Sequence, residues 1–237
     1  MALHERFSVN RQGWQPWVFD QLALPATSRV LELGCGPGRL WRDNLLRIPA
    51  RLSLVLSDVS LGMVREARDA LGQALPAAAI LAANLDAQQL PFAGAQFDAV
   101  IANHMLYHLP DRSRALAEIR RVLVPGGSLY AATNGKDHLR EIADLAGDSE
   151  PNSTLPFNLE DGGAELAQHF GRVELRRYAD ALVVTEVAPL VAYVNSMLSL
   201  TTSDEAQLAQ TIERIIASKG AVRITKSTGL FIAMKDT

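Results

Sequence analysis

The sequence contains a single cysteine, Cys35, among 237 residues. An internal disulfide is therefore excluded, as is a zinc site built from several thiolates, and no metal is expected. Aromatic residues make up only 6% of the chain, so any cluster of them stands out. No sign of charge dominates: 23 Lys and Arg stand against 26 Asp and Glu, for a net charge of −3. Extended contact with a phosphate backbone would lack its usual electrostatic basis, and no nucleic-acid partner is expected. No stretch is apolar for long enough to span a bilayer, and the opening MALHERFSVNRQGW lacks the apolar core of a signal peptide. No membrane partner is expected, and a cytoplasmic protein is the default. Hydrophobic residues nonetheless form 48% of the sequence, ample for a core.

What the chain does have is alternation. RVLELG reads as a strand and GRLWRDNLLRI as a helix with Leu40, Leu45 and Leu46 on one side. RLSLVLSD is a second strand, after which Ser60 reads as the N-cap of a helix over LGMVREARDALGQAL. AAAILAANL is a third strand and FDAVIANHML a fourth, ending near Asn103. Asp111 opens a helix, DRSRALAEIRRVLV, which Pro125-Gly126-Gly127 stops before a fifth strand, SLYAATN. Strand–helix alternation with short turns predicts βαβ units and a parallel sheet covered on both faces. In the second half, EPNSTLPFNLEDGG reads as a loop leading into a helix, and RVELRRYADALVVTE as one long strand or two short ones. Helices around APLVAYVNSML and SDEAQLAQTIERIIASKG follow, then strand-like AVRITKSTGLFIAMK. With no repeat and no clear linker, residues 1–237 read as one domain with helical additions.

The first strand stops at Gly34-Cys35-Gly36-Pro37-Gly38, three glycines and a proline in five residues. A glycine-rich turn between strand and helix, at the carboxyl edge of a parallel sheet, is a cofactor position. Glycine is needed where a ligand must reach the main chain without meeting a side chain. The dinucleotide fingerprint G-x-G-x-x-G is broken here, because Arg39 holds the place of its third glycine and Pro37 removes a backbone donor. Both departures are poor for a pyrophosphate and favour a ligand without one.

At these residues the chain resembles a known family. VLELGCGPGRL is similar to the first motif, E/D-x-G-x-G-x-G, of the class I S-adenosylmethionine-dependent methyltransferases. LVLSDVSLGMV, NLDAQQLPF, FDAVIANHMLYHLPD and RVLVPGGSLYAAT resemble the later motifs in the family's order, over residues 29 to 133. The resemblance implies a Rossmann-like α/β fold: a seven-stranded, mostly parallel sheet with the last strand antiparallel, GLFIAMK being the inserted strand. It implies helices on both faces, an N-terminal helical lid over 1–28, a cofactor-binding core over 29–147, and C-terminal strands with a helical lid insertion over 148–237. It implies S-adenosyl-L-methionine as cofactor, with Gly34, Cys35, Gly36 and Gly38 beside it. Glu32 would brace the loop, Asp58 take both ribose hydroxyls, Val59 and Met63 border the adenine, and Asp86 with Ala87 meet the adenine amino group. Asn103, in the fourth motif, completes the cofactor set.

On the acceptor side the resemblance sets His104, Tyr107 and His108 near the reacting methyl, with His104 and His108 as candidate bases. A packing role under the loop is the alternative for His108, and His138 is expected at the surface. Asp86 has the alternative of bonding its own turn, and Cys35 reads as a small filler rather than a reactive thiol. Phe7, Trp14 and Trp17 would belong to the lid, or Trp17 and Phe19 would pin a helix to the sheet. Tyr193 and Met197 would line the acceptor pocket or make a helix–helix contact. The activity implied is methyl transfer to an oxygen or nitrogen of a small-molecule acceptor, the acceptor's identity and the oligomeric state staying open. C-methylation of a quinone-like ring, or a non-catalytic nucleoside-binding domain, are the alternatives.

Overall fold

The computed structural model describes residues 2–72, 80–146, 155–198 and 202–237. Its strands are β1 (Arg29–Leu33), β2 (Ser53–Asp58), β3 (Ile80–Asn84), β4 (Phe97–Asn103), β5 (Leu123–Asn134), β6 (Arg172–Val184) and β7 (Val222–Met234). They form one seven-stranded sheet in the order β3-β2-β1-β4-β5-β7-β6. The pairs β3–β2, β2–β1, β1–β4 and β4–β5 are parallel. Just beyond β7, Gly126 N–H donates to the Lys235 carbonyl at 3.1 Å, and Lys235 N–H donates to the Gly127 carbonyl at 2.9 Å. That reciprocal exchange belongs to antiparallel neighbours. The expected mostly parallel sheet with an antiparallel last strand is what the chain forms.

The period of two along each strand feeds two apolar layers. Val55, Leu31, Val100 and Leu129 lie in register across four strands and pack with Leu116 and Ile119 of α5 (Arg112–Val122). The next row is Leu56, Glu32, Ile101 and Tyr130. Its apolar members pack with Val18 of α2 (Trp14–Gln21), Trp41 of α3 (Arg39–Arg42) and Leu71 of α4 (Leu61–Gly72). Helices thus cover both faces, and a carboxyl group, Glu32, sits in an otherwise apolar row.

The chain divides into two compact units. The larger holds 14–133, 156–177 and 229–237; the smaller holds the described parts of 1–13, 134–155 and 178–228. The smaller unit has its own core, which includes Leu3 and Phe7 of α1 (Ala2–Phe7), Ile142 of α6 (Arg140–Ala146), Leu190 of α8 (Val187–Leu198) and Ile212 of α9 (Thr202–Lys219). There Asp180, its side chain wholly buried, accepts from Ser8 Oγ at 2.6 Å and Asn10 N–H at 3.0 Å, and pairs with Lys226. Among the described residues, no helix is long and apolar enough to cross a membrane.

One helix and the start of one strand differ from expectation: β5 begins at Leu123 and takes in Pro125-Gly126-Gly127, which was expected to precede it. GRLWRDNLLRI is not one helix: α3 ends at Arg42, a separate 3₁₀ turn spans Leu45–Arg47, and Leu46 is fully exposed. The cause is Asn44, whose buried amide donates to the Leu40 carbonyl at 2.8 Å and to the Gln15 carbonyl at 3.2 Å, competing with the helical ladder. RVELRRYADALVVTE resolves as one long strand, β6. The expected reach of α4 to Leu75, the first three residues of AAAILAANL and the start of EPNSTLPFNLEDGG lie outside the described residues.

Candidate functional site

The site is built where β1 runs out of apolar residues. Gly34, Gly36 and Gly38 have φ of +67°, +52° and +74°, the left-handed region that glycine enters without strain. The turn is held from two directions. Cys35 N–H donates to the Ser57 carbonyl at 2.9 Å, and Gly36 N–H donates to Asp58 Oδ2 at 3.0 Å. Asp58 Oδ1 accepts from Ser60 N–H at 2.8 Å, and the Asp58 carbonyl accepts from Asn84 Nδ2 at 2.8 Å. The end of β2 therefore ties the glycine turn to the end of β3.

The glycines do different things. A Cβ at Gly34 would stand 2.7 Å from Met105 Cβ, so the residue chain just past β4 closes on this turn. A Cβ at Gly38 would stand 3.2 Å from Ala67 Cβ, because α4 packs close there. A Cβ at Gly36 would meet nothing within 4 Å among the described residues, and that side of the main chain faces open space.

Glu32 is 2% exposed and accepts from Trp41 Nε1 at 2.6 Å. Burial pushes its pKa up to about 8, against the pull of the Trp41 bond and with the Asp58 charge adding to the rise. Glu32 is therefore mostly protonated at neutral pH. The Cys35 thiol is buried and likewise pushed up, by burial first and then by the charges of Glu32 and Asp58. A buried thiol with a raised pKa suits a small filler between the glycines.

Beyond Asp58, Val59 and Met63 expose 73% and 40% of their surface. Asp86 lies past β3, exposed, and accepts from Gln88 N–H at 2.8 Å and Gln88 Nε2 at 3.1 Å. Those two bonds hold its pKa below the usual range. Ala87 is buried in the α5-side core. Asn103 ends β4 with its Oδ1 buried and without a hydrogen-bond partner among the described residues. His104 follows with φ +53°, and its N–H donates to the Ala132 carbonyl at 2.9 Å. Burial pushes its ring pKa down to about 4, so the imidazole is neutral at physiological pH. His108 is exposed, edge-on to Tyr107 at 4.5 Å between ring centroids.

Glu32, the glycine turn, Asp58 and, through Met105, the β4 end with Asn103 and His104 are thus joined. Asp86 and Ala87 stand one strand further out, after β3. Trp41, Ser57 and Met105 complete the arrangement and were not foreseen, since no local pattern marks a partner contributed by another element. His138 is not at the surface: it is 9% exposed in the smaller unit, with Nδ1 3.2 Å from Thr228 Oγ1. Phe7 belongs to that unit's core, and Tyr193 OH lies 3.0 Å from His4 Nε2 there, while Met197 is exposed. Trp17 and Phe19 pack against the sheet on the α2 side.

This sheet order, with a glycine turn after β1 and an acid closing β2, is the class I methyltransferase fold. A family model described as a methyltransferase domain matches residues 31–131, and that segment supports a class I S-adenosylmethionine-dependent methyltransferase. The ubiquinone/menaquinone biosynthesis C-methyltransferase UbiE of Methylococcus capsulatus is 31% identical over 144 residues, which are 61% of this chain and 58% of that protein. The malonyl-[acyl-carrier protein] O-methyltransferase of Enterobacter lignolyticus is 34% identical over 170 residues, 67% of this chain and 63% of that one. The matches thus span less than two thirds of either relative. Among solved structures, phosphoethanolamine N-methyltransferase 2 of Haemonchus contortus, in complex with S-adenosyl-L-methionine, superposes with a TM-score of 0.61 at 18% identity. That likeness covers 95% of this chain and 53% of the other. It speaks for the fold alone.

Proposed function

We propose that the chain, acting as a single domain in the cytoplasm, transfers the methyl group of S-adenosyl-L-methionine to an oxygen or nitrogen of a small-molecule acceptor. The observation that carries this reading is the open cradle at Gly36, directly beside the Asp58 carboxylate. Three further features fit such a nucleoside: the unpaired buried oxygen of Asn103, the exposed apolar surface of Val59 and Met63, and the lack of a pyrophosphate seat.

In this reading Gly34, Cys35, Gly36 and Gly38 let the donor lie against the main chain. Asp58 accepts from the ribose hydroxyls with the lone pairs that Gly36 and Ser60 leave free. Val59 and Met63 border the adenine, and Asp86, beside Ala87, accepts from its amino group. Glu32 braces the turn through Trp41, and Asn103 turns its oxygen to a donor N–H or O–H. The bound donor supplies an electrophilic methyl on a sulfonium. The protein's own part is to orient the acceptor's lone pair and keep water out, which alone is worth orders of magnitude in rate. Residues 1–28 and the helices of 148–237 serve as the lid in this reading. His104, neutral above about pH 4, accepts a hydrogen bond from the acceptor; with so low a pKa it is a weak base, and exposed His108 is the second candidate.

C-methylation of a quinone-like ring is the second reading, favoured by the likeness to UbiE. The mass and NMR spectrum of a methylated product separate the two, and persistent nucleoside binding without any transfer would mark a non-catalytic domain. The direct test is calorimetry with S-adenosylmethionine and S-adenosylhomocysteine. Both are expected to bind, and Asp58→Ala to weaken both by about ten-fold or more, the loss of charge-assisted hydrogen bonds. No heat with either nucleoside ends the proposal.

A further inference from the structure

The two edges of the sheet differ in how they meet solvent. At one edge, β6 carries Arg172, Glu174, Arg176 and Arg177 in its first half. Its second half is paired by the N-terminal segment, where Val9 N–H donates to the Ala181 carbonyl at 2.9 Å. Charges on an edge strand, or a chain segment laid along it, keep it from joining another sheet. The other edge is β3, which among the described residues pairs with β2 alone. Its residues, Ile80 to Asn84, hold no charge and no proline, and their register with β2 runs without a bulge. None of the usual protections is built into this strand.

One face of β3 is also bare. Leu81 continues the row of Val55, Leu31, Val100 and Leu129. Those four are buried, yet Leu81 is 56% exposed. The reason lies in the connection to β4: a parallel crossover usually returns through a helix, and residues 85–96 form none. The opposite face is covered by α4. Around its buried Ala67 stand the exposed residues Arg65, Glu66, Arg68 and Asp69, whose charges alternate in sign along the helix. A second α4 running antiparallel would set Arg65 against Asp69 and Glu66 against Arg68, so that every charge meets its opposite. A two-fold interface demands this self-complementarity, because one patch must fit itself.

We propose that the β3 edge is an interaction surface and that its partner is a second copy of this chain. The two β3 strands pair antiparallel about a two-fold axis near Ala82, joining the two seven-stranded sheets into one. Leu81 of each copy then lies opposite Ala83 of the other, and the outward backbone groups of both edges gain hydrogen-bond partners. The α4 helices meet on one side of the joined sheet with their charges matched. The inference does not depend on the donor reading.

The test is the mass of the full chain by light scattering during gel filtration, over a range of concentrations. The expected mass is twice the 25.7 kDa of one chain, with a dissociation constant that rises with salt, since exposed charge pairs are screened. Leu81→Lys should return the mass to that of one chain, because a lysine on the edge opposes pairing. Its far-UV circular dichroism should be unchanged, the position being exposed. Arg65→Glu sets like charges together and should raise the dissociation constant by about ten-fold or more. Adding Asp69→Arg to it should restore the dimer, a recovery that the folding of a single chain would not produce. Should Leu81→Lys fail to fold, these helix variants decide the matter. A single-chain mass for the unmodified protein at every concentration overturns the inference. So does a dimer indifferent to Leu81→Lys, which would use another face, or a mass growing beyond two copies, which no two-fold pairing allows.

Discussion

At Gly34 an added methyl would meet Met105 Cβ at 2.7 Å, whereas at Gly36 it would meet nothing, although both residues hold left-handed backbone. The two alanine variants should therefore separate. Gly34→Ala combines backbone strain with overpacking and is expected to lose roughly 2–4 kcal/mol of stability. Gly36→Ala carries the strain alone, about 1–2 kcal/mol, and should fold while losing S-adenosylhomocysteine binding. Denaturant melts read with calorimetry check both. The glycines themselves were legible because the requirement is local; Met105, which makes Gly34 indispensable, was not, because it arrives from beyond β4.

Glu32 gives a second residue-scale expectation. Its folded pKa, about 8, lies above its unfolded value of 4.5, so its contribution to stability is complete below pH 4.5 and is lost as pH rises through 8. Glu32→Gln keeps an acceptor for Trp41 Nε1 and cannot ionise. The variant should overtake the wild type by roughly 2–4 kcal/mol at pH 9, with little difference at pH 5, in melts run across that range. A parallel pH dependence for the two proteins would mean that Glu32 is ionised in the folded state. The acid was legible as a motif residue, but its protonation follows from the apolar row around it.

Among elements, β1, β2, β4 and α5 were read closely because burial on two faces and an N-cap leave strong local marks, whereas β5 starts at Leu123 and takes in the Pro125-Gly126-Gly127 expected to precede it. The Asp111 carboxylate accepts from Arg114 N–H at 2.9 Å, the cap that the sequence suggests. α3 failed because one asparagine side chain captured a carbonyl the helix would have used. The anchoring of the N-terminal segment to β6 was likewise hidden, since Ser8 and Asn10 meet Asp180 about 170 positions along the chain. Burial pushes the Asp180 carboxyl up, but Lys226, Ser8 and Asn10 outweigh it and hold the pKa below the ordinary aspartate value. Asp180→Ala leaves Lys226, with 10% of its side chain exposed, without its partner and should cost about 3–5 kcal/mol in a denaturant melt at pH 7. The deficit should shrink as pH falls below 4, where the wild-type carboxyl is itself being protonated.

For the whole molecule, the expected signature is ligand-linked stability. S-adenosylhomocysteine at about 100 times its dissociation constant should add about 2.7 kcal/mol and raise Tm by roughly 5–10 °C in scanning calorimetry. NAD, which needs the pyrophosphate seat that Pro37 and Arg39 spoil, should leave Tm where it is. A rise with NAD and none with the nucleoside would reverse the assignment of the glycine turn.

The sequence by itself determined the parallel sheet, the glycine turn and the acid that ends β2, because each depends on the alternation of side chains or on a glycine at a fixed offset along the chain. Only the tertiary structure decided that Gly36 faces open space, that Glu32 holds its proton and that His138 is buried. Those outcomes depend on which distant side chains displace water around a residue, and desolvation is a property of packing in three dimensions that no local pattern encodes.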